Sequence, residues 1–228
     1  MRAFWSDPYL WVHAAGVAAV PLCLVVCLLG LAVGDPLLPV WLELGPVAIA
    51  GIAPIVWMQW QKPFYIFSLV AVALKPKQLT DNQRRILTLF KTRRSPIWIG
   101  LGALTMLVFL RQIYLVAPIA ADVTPFSGRG LGLGVAAIAF LAGNLFLQIP
   151  LSVGRVLLTS DQEFAAIQPF AVEQIFQAFS VLGLQVNQIL PPMLPDEALV
   201  VTTAPIVAEP GSVTDFLIPD IDDPANSL

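Results

Sequence analysis

Apolar residues fall along this chain in four long blocks separated by short polar or basic stretches. The first block, 9–33, contains no charged residue, and the second, 39–60, contains one acid, Glu43, near its start. The third, 96–116, carries one base, Arg111, near its end, and the fourth, 131–150, carries no charge but holds Asn144 and Gln148 one helical turn apart. A helix rising ~1.5 Å per residue needs about 20 residues to cross a hydrocarbon slab ~30 Å thick, so each block predicts one transmembrane helix. The expected fold is therefore an all-α membrane protein with about four transmembrane helices in residues 1–158. A cleaved signal peptide is the competing explanation for the first block. That block is longer than the ~7–15 residues of a signal-peptide core and no A-x-A-like site follows it, which favours a span.

The stretch between the second and third blocks, 61–95, predicts a basic interfacial loop. Inside it, 64–74 is almost unbroken apolar sequence, too short to cross, and is expected to lie in the interface or re-enter partway. Thr80 and Gln83 have capping-box spacing at the mouth of a short helix that sets Ile86, Leu87, Leu89 and Phe90 on one side and Arg84, Arg85 and Lys91 elsewhere. Such a basic amphipathic helix suits attraction to anionic lipid, docking on an acidic partner, or plain anchoring of the loop.

After the fourth block, 159–190 predicts a short segment with a helix, from the spacing of Val172, Ile175, Phe176 and Phe179, and a strand, from the alternation of Leu182, Leu184 and Val186. A lone strand calls for an edge supplied by another protein. Residues 191–228 are acidic, studded with proline and without periodicity, and predict a largely disordered low-complexity tail.

Composition agrees with lipid as the solvent: of 228 residues 57% are hydrophobic and 12% charged, against about 25% charged in a soluble domain. Charge gives the orientation. Eight of the twelve Lys and Arg lie in the loop, namely Lys62, Lys75, Lys77, Arg84, Arg85, Lys91, Arg93 and Arg94, which places it and both termini in the cytoplasm. Arg2 and Arg155 then also fall inside, and Arg111 and Arg129 near the outer face. Ten acids and no base follow Arg155, so a polyanionic tail and a polycationic loop share one membrane face and are expected to attract each other.

Candidate chemistry is sparse. His13, the single histidine, lies in the cytoplasmic half of the first span, where an imidazole could ligate a haem or pigment metal or simply bond a neighbour such as Gln148. Cys23 and Cys27 lie four apart within the first span and read as small packing residues. Glu43 and Arg111 are both expected toward the outer face, where they could pair as a salt bridge or begin an ion path. Asn144 and Gln148 suit interhelical hydrogen bonding, and Gly130 with Gly134 forms a small-xxx-small pair that would admit another helix; Gly100 beside Gly102 offers the same on the third span. Pro21 and Pro54 should kink their spans. The glycine run 128–134 lacks the spacing and the lysine of a phosphate loop. No catalytic signature, metal set or cofactor is expected, and the partners expected are the lipid bilayer and other membrane proteins, with no nucleic acid.

Four stretches carry a family resemblance: FWSDPYLWVH at 4–13, LLGLAVGDPLLP at 28–39, WMQWQKPFY at 57–65 and VNQILPP at 186–192. They resemble a family of cyanobacterial integral membrane proteins described as low-complexity tail membrane proteins, over about residues 1–192. The resemblance implies a cyanobacterial plasma or thylakoid membrane and a setting around photosynthetic complexes, and it carries no assigned activity. The expected role is a non-enzymatic scaffold or accessory factor using Lys75, Lys77, Arg84, Arg85, Lys91, Arg93, Arg94 and the acidic tail as docking surfaces. A small transporter or channel, and a haem or pigment carrier using His13, are the alternatives.

Overall fold

The computed structural model describes residues 3–69, 71–92 and 96–190. In chain order the helices are α1 (Pro8–Ala15), α2 (Ala19–Leu31), α3 (Val40–Gln61), α4 (Asp81–Thr92), α5 (Pro96–Val116), α6 (Arg129–Leu157), α7 (Asp161–Ala166) and α8 (Ile175–Ala178). Four rods are long and apolar enough to cross a membrane: Pro8–Leu31, Val40–Gln61, Pro96–Ala120 and Arg129–Leu157. The first is α1 and α2 joined by a 3-10 turn, Gly16–Ala18. Pro21 has no N–H to offer the Val17 carbonyl, and the helix tightens there instead of breaking. Large apolar side chains cover the outside of the rods, Leu22, Ile49 and Ile138 being 68%, 67% and 71% exposed, a surface only lipid would solvate.

Helix α6 is the axis of the bundle and packs against α1, α2, α3 and α5. Its buried row begins Arg129, Gly132, Ala136, Ala139, Phe140, Gly143, Asn144 and Gln148, a helical stripe. The row on α3 is Glu43, Val47, Gly51, Ile55 and Gln59, one residue every fourth position. Backbones meet where both rows are small: a methyl on Gly30 would lie 2.6 Å from the Gly132 carbonyl, and one on Gly51 would strike the Phe140 ring. The expected pair Gly130 and Gly134 meets no helix of this chain among the described residues. Both face open space, because they lie two residues, about 200° of helix, off the stripe that carries Gly132 and Ala136. Gly100 is likewise open, whereas Gly102 faces the Gln148 side chain.

On one side of the bundle, parts of 3–10, 63–92 and 149–190 fold into a compact cap. Its core contains Phe4, Tyr65, Ile66, Phe67, Leu87, Phe164, Ile175 and Phe179. Segment 64–74, expected in the interface or re-entering, is folded on itself. It forms a hairpin of β1 (Ser68–Leu69) and β2 (Val72–Leu74), and Tyr65, Ile66 and Phe67 are 0% exposed beneath it. The tail strand β3 (Leu184–Val186) pairs parallel to β2, in register Val72↔Leu184 through Leu74↔Val186. The edge expected from another protein is thus supplied by the chain's own loop, and that ground for a partner falls. Gly183, at φ +98, makes the crossing possible, since a side chain there would collide with the Ala71 carbonyl group.

Helix α4 has the expected capping box, with Thr80 N–H donating to Gln83 Oε1 (3.1 Å) and Gln83 N–H to Thr80 Oγ (3.3 Å). Its apolar face is not free for lipid: Ile86, Leu87, Leu89 and Phe90 are buried in the cap core. Gln83 Nε2 also donates to Asp7 Oδ2 (3.0 Å), and Asp7 Oδ1 caps α1 by accepting from Tyr9 N–H (2.9 Å). The fourth rod runs past the expected end at Pro150 to Leu157, because Ile149, Val153 and Val156 find apolar partners in the cap. At 29 residues and ~1.5 Å each it spans about 44 Å, longer than the ~30 Å hydrocarbon, so its last turns belong to the cap.

Gly132→Leu should separate α2 from α6 and lower the unfolding free energy in detergent by about 1–3 kcal/mol, while Gly134→Leu should leave it within ~0.5 kcal/mol; chemical or thermal unfolding of the two variants reads the difference. Burial raises the Asp7 carboxyl above its ordinary 3.8, against the opposing hydrogen bonds from Gln83 and the Tyr9 amide. A raised carboxyl favours the folded state fully below that value and loses the contribution as pH climbs through the raised one. Melting curves should therefore show Asp7→Asn, which keeps the cap and cannot ionise, gaining on the parent protein between acid and neutral pH.

Candidate functional site

Hydrocarbon makes any unpaired polar group costly, so the polar residues inside the rods identify what the bundle must satisfy. At the end of the bundle away from the cap, one buried network joins all four rods. Glu43 and Arg129, 2% and 8% exposed, form an ion pair through Arg129 Nη2 and Glu43 Oε2, with Arg129 Nε donating to Oε1 at 3.3 Å. Arg129 Nη1 also donates to the carbonyls of Leu31 (2.6 Å) and Val33 (2.9 Å) at the C-terminal end of α2. Glu43 accepts from the Leu37 amide (2.9 Å) and from the Tyr114 hydroxyl (3.2 Å) of α5. Nearby, Thr124 Oγ donates to the Leu29 carbonyl (2.7 Å).

A cation at the start of α6 opposes that helix's dipole, so its favourable terms are Glu43 and the carbonyl end of α2. The expected Glu43–Arg111 pair is a correction. Tyr114, not Arg111, continues the buried row of α5 through Gly102, Met106 and Leu110, and Arg111 points outward one residue off that row. Arg129 and Tyr114 were not singled out from the sequence as partners of Glu43. The usable signal was the small-residue stripe of α6, which extends backward in steps of three and four from Gly132 to Arg129.

Deeper in the bundle, Asn144 Nδ2 donates to the Gly51 carbonyl (3.0 Å) and Gln148 Nε2 to the Ile99 carbonyl (3.1 Å). The first bond lies beside Pro54, whose missing N–H leaves the Ala50 carbonyl without its helical donor. The buried Asn144 Oδ1 has no hydrogen-bond partner. His13 is half-buried, its Nδ1 2.8 Å from the Tyr9 carbonyl and its ring 5.6 Å from that of Phe64, so its neighbour is its own helix rather than Gln148. Cys27 is buried, and Cys23 lies against Gly143. Among the described residues no group of three or more His, Cys, Asp and Glu could hold a metal ion.

Of the expected docking bases, Lys75 and Lys77 are exposed where β2 ends, and the Lys75 amide donates to the Val186 carbonyl (2.9 Å) on β3. Arg84, Arg85 and Lys91 are half-buried. Arg84 pairs with Asp81 and donates to the Phe170 carbonyl (3.5 Å), Arg85 Nε is buried without a hydrogen-bond partner, and Lys91 lies 5.4 Å above the Phe170 ring. These three serve the cap's interior as much as its surface. Arg93, Arg94 and the acidic stretch 191–228 lie outside the described residues.

Four rods with apolar exteriors and a polar lock among them define an integral membrane protein that crosses the bilayer repeatedly. Residues 6–191 match the model of the family described as low-complexity tail membrane protein-like, and the chain belongs to that family. No curated protein and no solved structure matches the chain.

Removing one member of the Glu43–Arg129 pair should cost about 3–5 kcal/mol, and the double variant Glu43→Leu/Arg129→Met less than the sum of the singles. Arg111→Gln should leave stability within ~0.5 kcal/mol of the parent. Unfolding in detergent across this set of variants measures both expectations.

Proposed function

We propose that this protein is a non-enzymatic membrane scaffold or accessory factor that presents its cap to a partner at the cytoplasmic face of a cyanobacterial plasma or thylakoid membrane. The observation that carries the reading is the cap itself. The loop and the 159–190 segment are welded by the parallel β2–β3 pair into a packed body, which presents a fixed surface instead of a loose anchor. On that surface Lys75 and Lys77 stand exposed at the end of β2, beside β3. Preorganisation of this kind favours binding, because little ordering remains when a partner arrives. The basic loop marks the cap side as cytoplasmic by the bias of Lys and Arg.

Most of the polar groups that a transport path would use have partners in the bundle, the Asn144 Oδ1 excepted. Asn144, Gln148 and the Nδ1 of His13 each face a backbone carbonyl, on three different helices, and Glu43 is held by Arg129. This arrangement favours a structural role for them over a conduction path.

Tagged protein purified from native membranes in mild detergent should bring a stoichiometric partner, and Lys75→Glu/Lys77→Glu should lower its recovery at least several-fold without altering the melting temperature. Recovery of the parent protein alone would overturn the proposal.

A further inference from the structure

Between α3 and α5, at the end away from the cap, lies an open groove of about 490 Å³. Its walls are Val40, Trp41 and Leu44 on one side and Leu107, Leu110 and Arg111 on the other. The size falls within the ~300–1,000 Å³ of small-ligand sites, and the lining is apolar except for one guanidinium. Arg111 is exposed and has no hydrogen-bond or ion-pair partner among the described residues, because Arg129 already occupies the carboxylate that could have met it. Trp41, 71% exposed, stands at the first turn of α3 and fixes the groove's mouth near the water–lipid boundary, where tryptophan is favoured.

We propose that this groove is a specific site for an anionic membrane lipid, whose acyl chain lies between α3 and α5 and whose phosphate-bearing headgroup meets Arg111. Two facts on the molecule select this occupant. The groove opens sideways from apolar helix faces, so the ligand arrives from within the bilayer. Its one polar group is a cation at the interfacial end, and a guanidinium in hydrocarbon without a counter-charge is costly. A phosphate supplies that charge and two oxygens that can accept the paired N–H bonds of the planar guanidinium. A zwitterionic lipid of the same chain length would fill the groove equally and carries the same phosphate, but its own cation offsets that charge and weakens the net attraction to the guanidinium.

The probe is phosphatidylglycerol against phosphatidylcholine with identical chains, in detergent micelles followed by native mass spectrometry. One phosphatidylglycerol should stay bound per protein, in preference to phosphatidylcholine by about fivefold or more, the factor expected for one base near a lipid headgroup. Arg111→Gln should abolish the preference and Arg111→Lys should retain part of it. Equal retention of the two lipids, or an unchanged preference in Arg111→Gln, would overturn the site and leave an ordinary lipid annulus. A second readout guards against a misfolded variant: phosphatidylglycerol with brominated chains should quench tryptophan emission more than brominated phosphatidylcholine, and Trp41→Phe should remove the excess. An excess that survives Trp41→Phe, or a Trp41→Cys variant that cross-links to a second copy regardless of lipid, would equally refute the proposal.

Discussion

A carboxylate and a guanidinium enclosed where four apolar rods meet set the terms for the rest of this molecule. Water does not reach Glu43 or Arg129, so every hydrogen-bonding direction they possess has to be answered by protein. Arg129 answers by reaching both Glu43 and the exposed carbonyls at the end of α2, and Glu43 by taking the Leu37 amide and the Tyr114 hydroxyl. Such a pair contributes less net stability than its Coulomb attraction suggests, because both ions lose their hydration. What it does contribute is register. The same register of α3 against α6 that joins the two charges brings Gly51 under Phe140 and Asn144 to the Gly51 carbonyl.

From that lock the small residues follow. Apolar rods in lipid gain little from hiding one another, since lipid tails are as apolar as leucine, and close approach has to come from van der Waals contact. Gly30 against Gly132 provides the tightest place, and its geometry leaves no room for even a methyl group. Arg111 illustrates the converse. It lies one residue off the buried row of α5, the neighbouring acid is taken, and the same apolar environment that makes Arg129 structural makes Arg111 a place where an external anion is wanted.

The cap extends the same constraint to the other end. Residues 64–74 are too apolar for water, and they are removed from it by the ends of α1 and α6, by α4, and by the segment after α6. Its core draws on the N-terminal segment, the loop and the stretch beyond the last span, so all three are held in one body.

The four long apolar helices were legible in the sequence, because the length of an apolar run and the thickness of hydrocarbon are one-dimensional quantities. The capping box at Thr80 and Gln83 and the strand at Leu184–Val186 were legible for a related reason: each is a local pattern of spacing. What the sequence left open was every choice among partners. Arg111 or Arg129 for Glu43, Gly130 or Gly132 for the helix crossing, an outside edge or β2 for β3, and lipid or protein for the apolar face of α4 were all compatible with spacing. Only the tertiary structure decided them, since each depends on which face of a rod turns inward, and a rotation of two residues carries a side chain from the core to the lipid.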